Sequence, residues 1–172
     1  VFTAEWDKFA RQTYEANFGG VVDAHDINEI DPETVPDHDV LACGFPCVSF
    51  SNAGRRQAFD DPRTEVFWST MDIIKAKTPK VVLFENVRGI LKHRDMIAEV
   101  FDGLGYDLHH SVINSKDFDV PQNRIRVYMV ATRRDAFAVP FEFPQVQENS
   151  SPPVLGDVLE GTLGNGIDDR YE

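Results

Sequence analysis

"KVVLFENVRGIL", residues 80–91, is the stretch from which the architecture of this 172-residue chain can be worked out. Val81 to Phe84 form an unbroken apolar run, rich in the β-branched and aromatic residues that suit a strand, and Glu85 and Asn86 follow at once. Upstream, "DVLAC" (39–43) is a second run of the same kind. Between the two, Phe67, Met71 and Ile74 recur at helical spacing over residues 64–77, and Pro79 stops the helix. Strand, helix, strand is a βαβ unit, with both strands expected to be buried on both faces of a parallel sheet.

The same reading extends in both directions. "VFTA" (1–4) predicts a short strand. "EWDKFARQTYEANFGG" (5–20) predicts a helix with Ala10, Tyr14 and Phe18 on one face and a stop at Gly19 and Gly20. "VVDAHDI" (21–27) predicts another brief strand, and "DPETVPDH" (31–38) a turn-rich connector. Downstream, Met96, Val100 and Leu104, with Ile97 and Phe101 alongside, predict a helix that Gly105 ends. "SVINSKDFDVPQNRIRVYMVATR" (111–133) predicts two strands joined through Pro121. From Phe141 onward, prolines and glycines break any long element, leaving a loop-rich tail with one short helix near "LGDVLE" (155–160). No segment repeats. Alternating strands and helices predict an α/β domain with a mostly parallel sheet.

Composition narrows the function classes. With 42 % hydrophobic and 11 % aromatic residues, the chain can build one core. It has no apolar run of the roughly 18–20 residues that a membrane helix needs, and no basic flank leading into an apolar stretch, so an intracellular protein is expected. The only cysteines, Cys43 and Cys47, have no histidine cluster near them in sequence, which argues against a disulfide framework or a zinc site and for a reducing compartment without a metal. The net charge of −12 argues at first against a nucleic-acid partner. Its distribution reopens the question: residues 1–50 hold ten acids against Lys8 and Arg11, whereas residues 54–94 hold nine bases, among them Arg55, Arg56, Arg63, Arg88, Lys92 and Arg94. The counts fit one basic face on an acidic body as well as a scatter of solvated bases.

Ligands of open parallel α/β sheets bind beyond the carboxyl ends of the strands. Glu5 follows "VFTA", Asp26 follows "VVDAH" (21–25), Cys47 follows "DVLAC" and Glu85 follows "KVVLF", so all four belong on that rim. Each has an ordinary reading alone: a free cysteine packs as a small hydrophobe, and a carboxylate at a strand end caps a helix or stays solvated. Cys43, inside its strand, reads as packing. "QNRIR" (122–126) adds a second signal, because alternation turns Gln122, Arg124 and Arg126 to one face and Ile125 and Val127 to the other. A solvent-exposed edge strand would show the same alternation, but the apolar "VYMVA" that follows suggests an interior strand whose polar end meets a crevice.

"GFPCVSFS" (44–51), "FENVRGIL" (84–91) and "QNRIRVYMVA" (122–131), in this order, together with "EWDKFARQTYEANF" (5–18), resemble the DNA (cytosine-5) methyltransferases over residues 1 to about 144. The resemblance implies a Rossmann-like, S-adenosylmethionine-dependent methyltransferase fold and a double-stranded DNA substrate whose target cytosine is flipped out of the helix. It implies Cys47 as the nucleophile, Glu85 at the N3 edge of the base, Arg126 at the base carbonyl oxygen, Arg124 as support for the loop or a phosphate, and Asn86 as the residue that orients the Cys47 loop. On the cofactor side it implies Glu5 at the ribose hydroxyls, Trp6 against adenine, Asp26 and Ile27 framing the amino edge, and Pro46 beside them. The loop from Ser51 to Arg63, with Arg55 and, across the crevice, Gln122, would close over the DNA.

The chain departs from the family's pattern at one position and covers part of that pattern. Val48 stands where glutamine is usual after the nucleophile, and the family's glycine-rich cofactor loop and target-recognition region are expected before Val1 and beyond residue 144, outside this sequence. Residues 1–144 are therefore expected to be a partial catalytic domain and 145–172 a tail toward a recognition domain, completed, if the enzyme is split, by a second chain. The expected setting is prokaryotic restriction–modification, cytoplasmic and associated with the nucleoid through DNA. Two other readings remain open: a non-catalytic truncated relative that binds a partner chain or DNA, and the branch of the family that methylates transfer RNA.

Overall fold

The computed structural model describes residues 1–45, 62–146 and 154. In chain order its main elements are helix α1 (Lys8–Phe18), strand β1 (Val40–Gly44), helix α2 (Pro62–Lys77), strand β2 (Val81–Asn86), helix α3 (Arg94–Gly103) and strands β3 (Tyr106–Asn114) and β4 (Ile125–Arg133). Short 3-10 turns at Ile27–Glu29, Pro32–Thr34, Arg88–His93 and Ser115–Phe118 connect them. Of the expected tail, residues 141–146 carry no regular element, and the short helix near residues 155–160 lies outside the described residues.

The four strands form one sheet in the order β1-β2-β4-β3. β1 and β2 are parallel, with Val40 opposite Val81 and Gly44 opposite Glu85, as the βαβ reading requires. The rest of this sheet corrects the expectation that it is mostly parallel: β4 runs antiparallel to β2 on one side and to β3 on the other. The cause is the short link from Ser115 to Arg124. A parallel neighbour needs a crossover of roughly a dozen residues or more, usually through a helix, so this link returns β4 antiparallel along β3. β4 then occupies the place between β3 and β2. The α/β class itself stands.

One contiguous core sits on a single face of this sheet. Val82 and Phe84 of β2 and Val127, Met129 and Ala131 of β4 pack with Phe67, Met71 and Ile74 of α2 and Ile97 and Phe101 of α3. The Phe84 ring meets the Phe45 and Phe101 rings edge-on, at centroid distances of 5.2 and 5.6 Å, a geometry that adds to the burial itself. Both helices lie on the Val82–Phe84 side, so the expectation that the strands are buried on both faces is also corrected: Leu83, between two fully buried neighbours, is 36 % exposed. Behind the core, the Tyr106 hydroxyl donates to the Pro79 carbonyl at 2.6 Å, and Arg134 ties β3 to α3 through Asp107 and Asp102.

Residues 1–38 are built differently. The strands expected at 1–4 and 21–27 reduce to one parallel bridge between Ala4 and Ala24, where the Ala24 N–H donates to the Thr3 carbonyl and the Glu5 N–H to the Ala24 carbonyl, both at 3.1 Å. Thr3 donates its N–H and its hydroxyl to the Asp23 carboxylate at 2.8 and 3.0 Å. These bonds hold the Asp23 carboxyl below its ordinary pKa range. α1 starts at Asp7, whose carboxylate accepts from the Phe9 and Ala10 N–H groups, and ends at Gly19 in the left-handed region at φ 70°. None of its residues is buried. Among the described residues no helix is long and apolar enough to cross a membrane.

Candidate active site

Glu85 is the next-to-last residue of β2, and its cross-strand partner on β4 is Tyr128. Side chains two apart on a strand share a face, so the diagonal neighbour of Glu85 on that face is Arg126, with Arg124 two further along. Both arginines reach the same carboxylate oxygen: Glu85 Oε1 lies 3.0 Å from Arg126 Nε and accepts from Arg124 Nη2 at 3.2 Å. Arg126 also donates to the Ile125 carbonyl at 2.8 Å, which limits the swing of its guanidinium. Among the described residues Glu85 Oε2 accepts no hydrogen bond. The result is a carboxylate gripped from one side by two cations, partly open to solvent, with one oxygen available to a ligand.

Asn86 ends β2 on the opposite, core-facing side and is 5 % exposed. A buried amide must find partners, and it does: Nδ2 donates to the Phe45 carbonyl and Oδ1 accepts from the Val87 N–H, both at 2.8 Å. The Phe45 ring is wedged against Phe67 and Phe84. Phe45 therefore holds the root of the segment that leads to Pro46 and Cys47, and Asn86 grips its backbone. Cys47, Pro46, Ser51 and Arg55 lie outside the described residues. Arg63 belongs to the first turn of α2, and its side chain likewise lies outside them.

Cys43 contrasts with the residues at this rim. It sits within β1, its sulfur lies 3.7 Å from the Thr70 hydroxyl, and burial pushes its thiol pKa up. A thiol held protonated is a poor nucleophile, in keeping with its reading as packing.

Glu5, Trp6, Asp26 and Ile27 come together in the wall of one open cleft of about 1400 Å³, which β1 also lines along its whole length from Val40 to Gly44. Two of the ordinary readings hold in part. Asp26 caps the Ile27–Glu29 turn by accepting from the Asn28 N–H at 2.9 Å, and Glu5 accepts from the Asp7 N–H at 2.7 Å. Each uses one oxygen for this, and among the described residues the other accepts nothing. Trp6 is 77 % exposed, so its indole face is available rather than packed in the core. A carboxylate can take a sugar diol and an exposed indole can stack on a purine ring, so these residues could hold a nucleoside-bearing cofactor. Among the described residues no cluster of histidine, cysteine and carboxylate groups could hold a metal ion.

Gln122 is not brought into the Glu85 cluster as the strand alternation predicts. β4 begins only at Ile125, and Gln122 lies in the preceding turn, engaged through its carbonyl with the Ser115 hydroxyl and the Arg124 N–H. Ser115 and its neighbour Asn114 were passed over by the pattern of apolar residues. The available signal was an Asn-Ser pair at the entrance of a turn, where short polar side chains bond nearby backbone.

The α/β sheet with its helices belongs to the methyltransferase fold class, as solved structures show. The chain superposes on DNMT2 from Spodoptera frugiperda with a TM-score of 0.73, 20 % identity and coverage of 98 % of this chain and 53 % of that one. With the Entamoeba histolytica methyltransferase EhMeth the TM-score is 0.69 at 19 % identity, covering 87 % of this chain and 49 % of that one. At such identities the likeness shows the fold. The family comes from sequence: residues 1–170 match the model of the C-5 cytosine-specific DNA methylases, and the chain belongs to that family. It is 43 % identical over 165 residues to the Type II methyltransferase M.NgoBI of Neisseria gonorrhoeae, covering 93 % of this chain and 50 % of that protein. Over 172 residues it is 40 % identical to M.SsoII of Shigella sonnei, covering 96 % and 45 %. The chain thus spans about half the length of these relatives.

Proposed function

We propose that this chain carries the methyl-transfer centre of a DNA cytosine-5 methyltransferase of a bacterial restriction–modification system, acting in the cytoplasm on double-stranded DNA. The observation that supports it most is the arrangement at the end of β2: Glu85 is gripped by Arg124 and Arg126 on one side, and Asn86 holds the root of the Cys47 segment on the other. In this reading residues 1–144 are the catalytic portion and 145–172 a tail toward a target-recognition domain.

The cytosine ring is a weak nucleophile at carbon 5, and the residues answer that weakness. The Cys47 thiolate adds to carbon 6, which makes carbon 5 electron-rich. Glu85 binds the N3 edge of the base and, when it carries a proton, donates there and relieves the charge that the addition places on the ring, while Arg126 approaches the carbonyl oxygen and Arg124 supports the loop or a phosphate. S-adenosylmethionine, when bound, supplies an electrophilic methyl group on sulfur. Glu5 and Asp26 would take its hydroxyl and amino groups, Trp6 would stack on its purine, and Ile27 and Pro46 would close the apolar sides. After transfer the proton on carbon 5 leaves to a base and the thiolate is eliminated. The base must be outside the duplex for any of this, with Ser51, Arg55, Arg63 and Gln122 on the DNA side.

The test is covalent trapping on random duplexes carrying 5-fluorocytosine, with S-adenosylmethionine, read by denaturing mass spectrometry. Fluorine cannot leave as the proton does, so a working centre stalls as an adduct. An adduct that is lost in Cys47→Ser supports the reading, and one that survives the substitution removes Cys47 from the nucleophile's role. Labelling confined to a transfer-RNA substrate would move the substrate from DNA to RNA.

A further inference from the structure

The ladder between β3 and β4 ends at the pair Asn114–Ile125, yet the two chains stay together for several residues more, and that stretch carries Arg124. Three contacts hold it. The Ser115 N–H donates to the Arg124 carbonyl at 3.0 Å, the Ser115 hydroxyl donates to the Gln122 carbonyl, and Asn114 Nδ2 donates to Asn123 Oδ1 at 2.8 Å. The other end of the Asn114 amide caps the Ser115–Phe118 turn by accepting from the Lys116 N–H. Beyond these contacts, Asp119 takes a left-handed conformation at φ 59° and the chain turns. Gln122, Asn123 and Arg124 are all exposed, so no core packing fixes them. Two short polar side chains thus do for this stretch what burial does for Val127 and Met129.

From this we infer that Asn114 and Ser115 are positioning residues that act through Arg124: they hold its backbone so that its guanidinium meets Glu85. The inference rests on the proposed role of Glu85 in methyl transfer. An arginine side chain has many rotamers, and its reach of 3.2 Å to Glu85 Oε1 is reproducible only if its own backbone is fixed. Arg126 needs no such help, because it stands within β4. Releasing the Ser115 contacts should therefore loosen the Arg124 contact and leave the Arg126 contact in place.

The experiment combines steady-state methyl transfer to random duplex DNA with NMR of ¹⁵N-labelled arginine side chains, in the wild type, Ser115→Ala, Ser115→Thr, Asn114→Ala, Arg124→Ala and the Ser115→Ala/Arg124→Ala double variant. Ser115→Ala and Asn114→Ala should each lower kcat about tenfold with KM for S-adenosylmethionine unchanged, and Ser115→Thr should restore it. In the Arg124→Ala background Ser115→Ala should add no further loss. Losses that multiply in that background, or a wild-type kcat in Ser115→Ala, would overturn the inference. The NMR readout is independent of turnover: slow rotation of the Arg124 guanidinium should be seen in the wild type and Ser115→Thr and be lost in Ser115→Ala. A wild type that methylates nothing would count against the proposed activity alone, whereas an Arg124 signal indifferent to Ser115→Ala would overturn the positioning role by itself.

Discussion

The two sides of the candidate site are built by different physics. The side carrying Glu85, Asn86 and Arg126 stands on the packed sheet, whose contiguous core runs from Phe45 to Ala131. The side carrying Glu5, Trp6, Asp26 and Ile27 belongs to residues 1–38, which place no residue in that core and contribute only Val22 and Val35 to the buried apolar set. There, carboxylate caps and backbone bonds do the holding, at Asp7, Asp23, Asp26 and Asp31. The difference separates two tasks. Proton and charge handling needs donors fixed to fractions of an ångström, which packing supplies, whereas a cleft that admits and releases a small molecule can rest on contacts that open at little cost.

Four substitutions or conditions would break or sharpen this contrast. The largest effect is expected from Phe84→Ala, which removes a fully buried ring that touches Phe45 and Phe101; it should destabilise the fold by about 3–5 kcal/mol in urea unfolding. A loss under 1 kcal/mol would mean that the sheet is not held by its core. Next comes Asn86→Ala, which removes the Asn86 hydrogen bond to the buried Phe45 carbonyl and should cost about 1–3 kcal/mol while slowing adduct formation at Cys47. If stability falls and the trapping rate does not, Asn86 is structural only.

On the other side of the contrast, Asp7→Ala removes the cap of α1 and should cost about 1 kcal/mol, with faster amide exchange confined to α1 and the sheet unaffected. Exchange that rises through the sheet as well would show the two regions to be one cooperative unit. The smallest effect is the acid response of Asp23. Its folded pKa is depressed by the Thr3 N–H and hydroxyl, so its contribution is present above the ordinary carboxylate pKa and is lost as pH falls through the lower folded value. Protection of the Ala24 N–H, corrected for the intrinsic pH dependence of exchange, should therefore fall only below the usual carboxylate range. In Asp23→Asn that acid step should vanish.

Much of the fold was legible locally. Apolar spacing and Gly19 mark the helix at 8–18, two apolar runs with a helical period between them mark the βαβ unit, and "RVYMVA" marks β4, whereas β3 spans Tyr106–Asn114 and so begins before the strand expected from residue 111 and gives way to a 3-10 turn at Ser115–Phe118. The brief strands that the sequence predicts at 1–4 and 21–27 reduce to one bridge, because a few apolar residues mark an extended chain without saying whether it finds a partner along its length. The carboxylate side of the site was legible as residue types; the polar turn that holds Arg124 was not, because its bonds run between side chain and backbone and leave no hydrophobic period behind.

By itself, then, the sequence determined what short-range chemistry can encode: which segments are helical or extended, where they stop, and that Glu85 and Asn86 close a buried strand. Only the tertiary structure decided that β4 enters between β2 and β3, antiparallel to both, and that one diagonal of this pairing carries Arg126 and Arg124 to a single oxygen of Glu85. The reason is physical: periodicity along a chain reports the face on which a residue lies, while strand order is set by link length, pairing and the packing of helices on one side of the sheet.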